Sequence, residues 1–120
     1  MTLESHLGGH QGKTHIDEGA LQWLVNLGIT SFIDIGCGPG GMVELAKSKG
    51  LRTIGVDGDY TLTRFDPNYF IIHDYTKGSP QIESTCDLAW SVEFLEHVEE
   101  QYMDNYMNTF KRAKSSVVTY

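Results

Sequence analysis

The residues with the clearest chemical meaning lie where an apolar segment runs into an acid and then into a turn made largely of glycine. This segment, Phe32 to Gly41, reads FIDIGCGPGG. Glycine tolerates positive φ and lets backbone amides approach a bound molecule closely, so a strand ending in such a turn offers a shelf for a flat ligand. Asp57 follows Gly36 by 21 residues and ends a second apolar segment, where a carboxylate can accept hydrogen bonds from both ribose hydroxyls. Together these features predict a binding site for a nucleotide-type cofactor.

The glycine pattern alone leaves the identity of the nucleotide open. Gly36, Gly38 and Gly41 also fit the dinucleotide pattern G-x-G-x-x-G, so a nucleotide-linked oxidoreductase is one alternative. Charge distinguishes a dinucleotide from other nucleotide cofactors, because a carboxylate at Asp34 would repel a pyrophosphate at the N-terminus of the following helix. The same carboxylate would attract the ammonium and sulfonium groups of S-adenosylmethionine, through the backbone, through water or directly. The sequence therefore favours S-adenosylmethionine as the cofactor.

Four segments, in order and spacing, give the chain a family resemblance. Over roughly residues 16–120 it resembles the class I S-adenosylmethionine-dependent methyltransferases, in particular their small-molecule branch. The segments that carry the resemblance are residues 32–41, Asp57-Gly58-Asp59, residues 71–75 (IIHDY) and residues 86–98 (CDLAWSVEFLEHV). The resemblance implies that Asp57 holds the ribose and that Asp74 accepts the adenine amino group.

The resemblance also implies which residues contact S-adenosylmethionine and its product S-adenosylhomocysteine. The expected cofactor contacts are Asp34, Gly36, Cys37, Gly38, Gly40, Asp57, Gly58, Asp74, Tyr75 and Ser91. Methyl transfer from a sulfonium needs little acid–base assistance, but Glu93 and His97, just past the fourth strand, are the candidates for a catalytic base. A solvated loop acid is the alternative for Glu93, and a structural role is the alternative for His97.

Composition and charge limit the class of protein. The 120 residues, 40% of them apolar, suit one globular domain, and the net charge of −7 leaves no basic stripe for a nucleic acid. A small-molecule acceptor is therefore favoured. No apolar run is long enough to span a membrane, and residues 1–6 lack the order of a secretion signal, so a cytoplasmic location is expected. Cys37 and Cys86 fall at opposite edges of the predicted sheet and are not expected to form a disulfide.

The hydrophobic pattern predicts an α/β fold, a Rossmann-like, doubly wound and mostly parallel sheet over residues 15–120. Residues 1–14 show no such pattern and are predicted to be a flexible arm. Its histidines, His6 and His10, and the adjacent His15 have spacings that do not fit a helical metal motif, so no metal is expected. The predicted strands are residues 31–35, 51–57, 69–73, 88–92 and a fifth from 117; the predicted helices are residues 17–27, 42–49, 59–65 and about 98–114. Residues 66–68 are predicted to form a turn and residues 76–80 a surface loop. The apolar residues of the first and last helices, among them Trp23, Leu27, Met103, Met107 and Phe110, are expected to face the core.

Members of the resembled family continue past the fifth strand, so the chain is expected to be the cofactor-binding half of a methyltransferase. The fifth strand would then present an open sheet edge, which a homodimer would cover. The function predicted is methyl transfer to an unidentified small-molecule or sugar-like acceptor. A catalytically silent module that binds the cofactor or a partner protein is the alternative from a different class.

Overall fold

The fold rests on one parallel sheet. A computed structural model describes residues 16–59, 66, 68–82, 85–92 and 99–119. Its elements are α1 (Glu18–Asn26), β1 (Ser31–Ile35), α2 (Gly41–Ser48), β2 (Arg52–Asp57), β3 (Phe70–Ile72), the 3-10 helix η1 (Tyr75–Lys77), β4 (Cys86–Val92), a 3-10 turn (Glu100–Tyr102), α3 (Met103–Phe110) and β5 (Ala113–Thr119). The strands lie in the order β3-β2-β1-β4-β5, and every neighbouring pair is parallel. The predicted Rossmann-like α/β fold is confirmed.

The central strand β1, SFIDI, is buried along its whole length, as its apolar residues predict, and its burial includes Ser31 and Asp34. Side chains alternate between the two faces of a strand. Phe32 packs with residues of α1 and α2, whereas Ile33 and Ile35 pack with Tyr75 and with α3. The sheet is therefore covered on both faces, and the turn after β1 leaves from the middle of the molecule.

Helix α1 begins and ends where the sequence indicates. The side chain of Asp17 accepts a hydrogen bond from the Ala20 amide at 3.0 Å, and Gly28 follows the helix with a φ of 103°. The expectation that Trp23 and Leu27 belong to the core is wrong, since they are 63% and 65% exposed. With 3.6 residues per turn, both lie on the side of the helix opposite to the buried Leu21.

Some predicted boundaries shift because strand pairing extends further than local pattern indicates. β4 begins at Cys86 instead of Leu88, and Ala113 pairs with Cys86, so β5 starts four residues before Val117. Ala113 and Lys114, predicted to end a helix, belong to that strand. Residues 75–77 form η1 where a plain loop from residue 76 was expected.

The structure also tests several smaller expectations. The turn before β3 is confirmed, because the Tyr69 amide donates to the Asp66 carbonyl at 2.9 Å. In the predicted apolar stripe of α3, Phe110 is buried, but Met103 and Met107 are 40% and 37% exposed. The N-terminal arm and most of the helix expected over residues 59–65 lie outside the described residues.

At the amino-terminal edge of the sheet, Asp87 joins three strands. Its carboxylate accepts hydrogen bonds from the Thr30 amide and hydroxyl at 2.7 and 2.9 Å, and its backbone amide donates to the Ser31 hydroxyl at 2.8 Å. Lys114 of β5 lies 3.5 Å from the second carboxylate oxygen. The bonds from Thr30 lower the pKa of Asp87. This acid is structural and lies far from the opposite, carboxyl-terminal edge.

Neither cysteine forms a disulfide, as predicted. Within the described ranges, no helix has the length and apolar character that crossing a membrane requires.

Candidate functional site

The predicted cofactor residues come together at the carboxyl-terminal edge of the sheet. The chain leaves β1 toward β2 on one side, while β4 lies on the other side of β1. In open α/β sheets, the crevice for ligands forms outside the carboxyl ends of the strands at such a switch point. The glycine turn, Asp57 and Asp74 follow β1, β2 and β3 at this edge.

The turn after β1 adopts a backbone that requires glycine. Gly36, Gly38 and Gly40 have φ values of 77°, 55° and 93°. The amides of Gly36 and Cys37 both donate to the Val56 carbonyl, at 2.8 and 2.9 Å, so the turn is fixed to β2. Gly40 precedes α2 without a side-chain cap. The turn therefore presents backbone rather than side chains to the crevice.

Asp57 connects the end of β2 to this turn. Its Oδ2 accepts a hydrogen bond from the Gly38 amide at 2.7 Å, and its Oδ1 accepts one from the Asp59 amide at 2.8 Å. The carboxylate is only 6% exposed. Each carboxylate oxygen can accept more than one hydrogen bond, so the predicted ribose contact remains chemically open to Asp57. The sequence indicated the ligand contact, while the bond to Gly38 is a structural role that it did not reveal.

Asp34 lies near the end of β1, opposite Gly55 of β2 and Trp90 of β4. The residue is 4% exposed, and its carboxyl makes no hydrogen bond with the described part of the chain. Burial, followed by the negative charge of Asp57, raises the pKa of Asp34 to about 8. The preference for a cationic ligand was drawn from an ionised Asp34. Burial and the neighbouring Asp57 instead favour the protonated form of this carboxyl.

Cys37 is packed beneath the glycine turn, and Gly55 makes room for it. The thiol is 2% exposed and lies in a cluster with Val43 and Phe70. Burial is the main reason why the pKa of Cys37 is raised well above its usual value, so this thiol is not an activated nucleophile. A Cβ on Gly55 would lie 2.8 Å from Val43 Cγ2 and 2.9 Å from both Cys37 Sγ and Phe70 Cδ1. The sequence analysis missed Gly55, although a single glycine inside an apolar strand is a recognised sign of close approach.

Asp74 and Tyr75, at the end of β3, have structural partners. Asp74 Oδ1 accepts hydrogen bonds from the Thr76 amide at 2.9 Å and the Thr76 hydroxyl at 2.7 Å, which caps η1. Tyr75 is 4% exposed, and its hydroxyl shares a 2.7 Å hydrogen bond with Thr109 of α3. Burial raises the pKa of Tyr75. Its ring therefore belongs to the core, and the expected cofactor contacts of Asp74 and Tyr75 stay predictions.

Polar residues of α3 hold the η1 region in place. Asn105 Nδ2 donates to the Tyr75 carbonyl at 2.7 Å, and the Ser79 hydroxyl donates to the Asn105 carbonyl at 2.8 Å. Asn108 Nδ2 donates to the Ser79 hydroxyl at 3.1 Å. The sequence analysis did not single out these residues, because polar positions on a helix carry no sign of their distant partners.

The remaining predicted residues surround the same edge. Gly58 follows Asp57 and is half-buried, and Ser91 near the end of β4 is fully buried with no hydrogen-bond partner for its hydroxyl among the described residues. Their cofactor contacts stay predictions. Glu93 and His97, the candidate bases, lie outside the described residues. In the described ranges, no group of three or more His, Cys, Asp or Glu side chains could hold a metal ion.

Comparison with known families assigns the chain to one of them. Residues 33–115 match the family described as "Methyltransferase domain", which is well over half of the chain. The chain therefore belongs to this family of methyltransferase domains. A comparison with curated protein sequences finds no match.

Solved structures agree with this assignment at the level of the fold. The methyltransferase domain of bacterial CtHen1-CN is similar with a TM-score of 0.61 and 21% identity, over 82% of this chain and 60% of that one. A SAM-dependent methyltransferase from Archaeoglobus fulgidus has a TM-score of 0.61 and 21% identity, over 92% of this chain and 53% of that one. The plantazolicin methyltransferase BpumL, in complex with a triazolic desmethylPZN analog and SAH, has a TM-score of 0.54 and 19% identity, over 74% of this chain and 38% of that one. The chain thus spans 60% or less of the length of these proteins.

Proposed function

We propose that this chain binds S-adenosylmethionine and is the cofactor-binding part of a methyltransferase that acts on a small-molecule or sugar-like acceptor. The observation that carries the proposal is the arrangement at the carboxyl-terminal edge, where Asp57 is bonded to the Gly38 amide and the buried carboxyl of Asp34 has no hydrogen bond to any residue that the structure describes. Membership of the methyltransferase-domain family supports it. The presence of SAH in the structure of BpumL, which shares this fold, supports it as well.

The described residues fit the parts of this cofactor. The glycine turn has no side chain to obstruct a ligand, apart from Cys37 and Pro39, and its amides at Gly36, Cys37, Gly38 and Gly40 donate within the protein. We assign the ribose hydroxyls to Asp57 at the end of β2 and the adenine amino group to Asp74 after β3. Asp34 is the acidic group for the cationic amino-acid end. When bound, the cofactor supplies an activated methyl group. The protein's part is to hold the cofactor and the acceptor in line and to exclude water.

The acceptor and the assembly belong to the same proposal. The net charge of −7 favours a small acceptor over a nucleic acid. Glu93 and His97 remain the candidates for a base.

Two free thiols suit a reducing compartment, so the proposed location is the cytoplasm. A homodimer that covers the edge strand β5 is also proposed, because β5 pairs with β4 alone in the part of the chain that the structure describes.

Calorimetric titration of the full chain with S-adenosylhomocysteine, S-adenosylmethionine and NAD tests the cofactor. We expect both adenosyl ligands to bind and NAD not to bind. Binding of NAD alone would favour a nucleotide-linked oxidoreductase and contradict the proposal. Tight binding of the adenosyl ligands, without methyl transfer to any acceptor by the protein in its natural full length, would favour the catalytically silent module.

The substitution Asp57→Asn tests the residue that carries the proposal. The amide keeps the shape but has only one accepting oxygen for the Gly38 amide, the Asp59 amide and the ribose. We expect the affinity for S-adenosylhomocysteine to fall about ten- to a hundredfold. Asp66→Asn, at an exposed turn before β3 on the other edge, is the matched control and should bind as the wild type does. Equal affinity in both variants would remove Asp57 from the site.

A further inference from the structure

Two buried carboxyls, Asp34 and Asp57, lie on one face of neighbouring strands. Asp34 of β1 is opposite Gly55 of β2, and Asp57 comes two residues later on that strand, so the alternation of side chains places both on the same face. They are 4% and 6% exposed. Keeping two neighbouring carboxylates ionised in a buried site costs free energy, so one of them tends to hold a proton.

The surroundings of the two carboxyls are unequal. Asp57 accepts hydrogen bonds from the Gly38 and Asp59 amides, and such donors stabilise the ionised form. Asp34 accepts none within the described ranges, and its neighbours across the sheet, Gly55 and Trp90, carry no charge. Asp34 is therefore the member of the pair that holds a proton, in agreement with its raised pKa of about 8.

The buried residues of α2 and of the glycine turn on this face of the sheet bring no positive charge to Asp34. From α2, the buried Met42 and Val43 are apolar, and the Cys37 thiol in the turn stays neutral because its pKa is raised. Asp59, buried after β2, adds a third acid next to Asp57. A cation that enters this site would consequently be the group that lets Asp34 ionise.

We propose that this site takes the adenosyl ligand by exchange: the ammonium group of the ligand's amino-acid end enters beside Asp34 as the proton on Asp34 leaves to solvent. This inference rests on the proposed function, since it concerns the same site. The exchange keeps one positive charge beside Asp34, because the ligand's ammonium group takes the place of the released proton, while the ligand's own carboxylate remains ionised. It also makes Asp34 a specificity-determining residue, since an adenosine ligand without a cation cannot replace the proton.

Calorimetry in buffers of different ionisation enthalpy counts the protons released on binding. At about pH 6.5, a ligand α-amino group is already an ammonium ion, so a released proton comes from the protein. We expect close to one proton to be released on binding S-adenosylhomocysteine or S-adenosylmethionine. The neutral analogue 5′-methylthioadenosine, which lacks the amino-acid end, should release close to none. The affinity for S-adenosylhomocysteine should also rise by up to about tenfold per pH unit toward neutrality.

Two variants and one spectrum localise the proton. Asp34→Asn should release almost no proton and should bind with little dependence on pH. Glu44→Gln, an exposed acid in the first turn of α2, is the control and should behave as the wild type. An infrared difference spectrum of the wild type should show the loss of a protonated carboxylic acid on binding, which does not depend on the folding of any variant.

The outcomes separate this inference from the proposed function. Binding of S-adenosylhomocysteine by the wild type without proton release, or equal release by Asp34→Asn, overturns the exchange but leaves cofactor binding intact. A failure of all three adenosyl ligands to bind defeats the proposed function and the exchange with it.

Discussion

At the scale of single residues, the acids of this site differ in what they do without a ligand. Asp57 is bonded to two backbone amides and Asp74 caps η1, whereas the carboxyl of Asp34 has no hydrogen bond in the described part of the molecule. Buried polar groups are normally paired, and an unpaired one at the edge of a ligand crevice indicates a function. The burial of the Asp34 carboxyl beside Asp57 thus raises its pKa at the point where the cofactor's ammonium group is proposed to lie.

This burial predicts how stability depends on pH. The pKa of Asp34 is about 8 in the folded protein, against an ordinary value of 3.8. Between these values the folded state holds a proton that the unfolded chain has released, so the free energy of unfolding should fall as pH rises from about 4 to about 8. The slope from this one group is at most about 1.4 kcal/mol per pH unit.

Asp34→Asn should remove the decrease in the free energy of unfolding with pH that Asp34 causes, and should make the protein without ligand more stable than the wild type at about pH 8. Urea unfolding of both proteins at several pH values measures this free energy. Glu44→Gln, which changes an exposed carboxyl, should leave the slope as it is in the wild type. Parallel pH curves for Asp34→Asn and the wild type would show that Asp34 is ionised in the folded state.

At the scale of elements, the glycine turn depends on the strand beside it. Cys37 lies under the turn, and it fits only because Gly55 of β2 has no side chain. Gly55→Ala would force Cβ against Val43, Cys37 and Phe70, and overpacking of this kind lowers the free energy of unfolding by about 1–3 kcal/mol. The affinity for S-adenosylhomocysteine should fall too, since Cys37 moves with the turn.

A second glycine provides the matched control for this prediction. Gly19 lies in α1, where an added Cβ would come no closer than 3.8 Å to Asp17 Oδ1. Gly19→Ala should stabilise the protein by about 0.5–1 kcal/mol, because alanine favours the helix. Denaturant unfolding compares the two variants, and equal effects of both substitutions would contradict the account of Gly55.

The link between η1 and α3 rests on a buried pair of hydroxyls, Tyr75 and Thr109. Thr109→Val removes one partner and leaves the other buried and unpaired, so it should destabilise by about 1–3 kcal/mol. Combined with Tyr75→Phe, which removes the second hydroxyl, the loss should shrink, since no polar group is then left without a partner. A double-mutant cycle in urea measures the coupling, and strictly additive effects would show that the hydrogen bond contributes nothing.

Much of this architecture was predictable from the sequence, because its strongest signals are local. The span of β1, the cap of α1 and the glycine turn each depend on residues close together in the chain. The early start of β5 was not predictable from the sequence, since it depends on pairing with Cys86. The charge state of Asp34 and the role of Gly55 depend on neighbours across the sheet, which a linear pattern does not identify. The exposure of Trp23 was missed for the same reason.

At the scale of the whole molecule, the two edge strands of the sheet, β3 and β5, differ in length. β3 is short, with three residues, whereas β5 spans seven and pairs with β4 only, as far as the described residues extend. Val118 of β5 is 41% exposed. Lys114 near its start is the one charged residue of β5, and residues 115–119 carry none. A long edge strand of this kind is a template for pairing with another chain, and a two-fold contact buries the same surface on both copies.

This edge predicts self-association that depends on concentration, measured by sedimentation velocity across a range of protein concentrations. Val118→Lys places a charge next to the edge and should shift the protein toward monomer, because charged side chains discourage edge pairing. Trp23→Ser tests the other exposed apolar surface, on α1, where Trp23 is 63% exposed. If Trp23→Ser dissociates the protein while Val118→Lys does not, the interface is α1 and not the sheet edge. If the wild type stays monomeric at every concentration, the proposed dimer is wrong, and the edge of β5 tolerates solvent in the same way as the exposed side of α1.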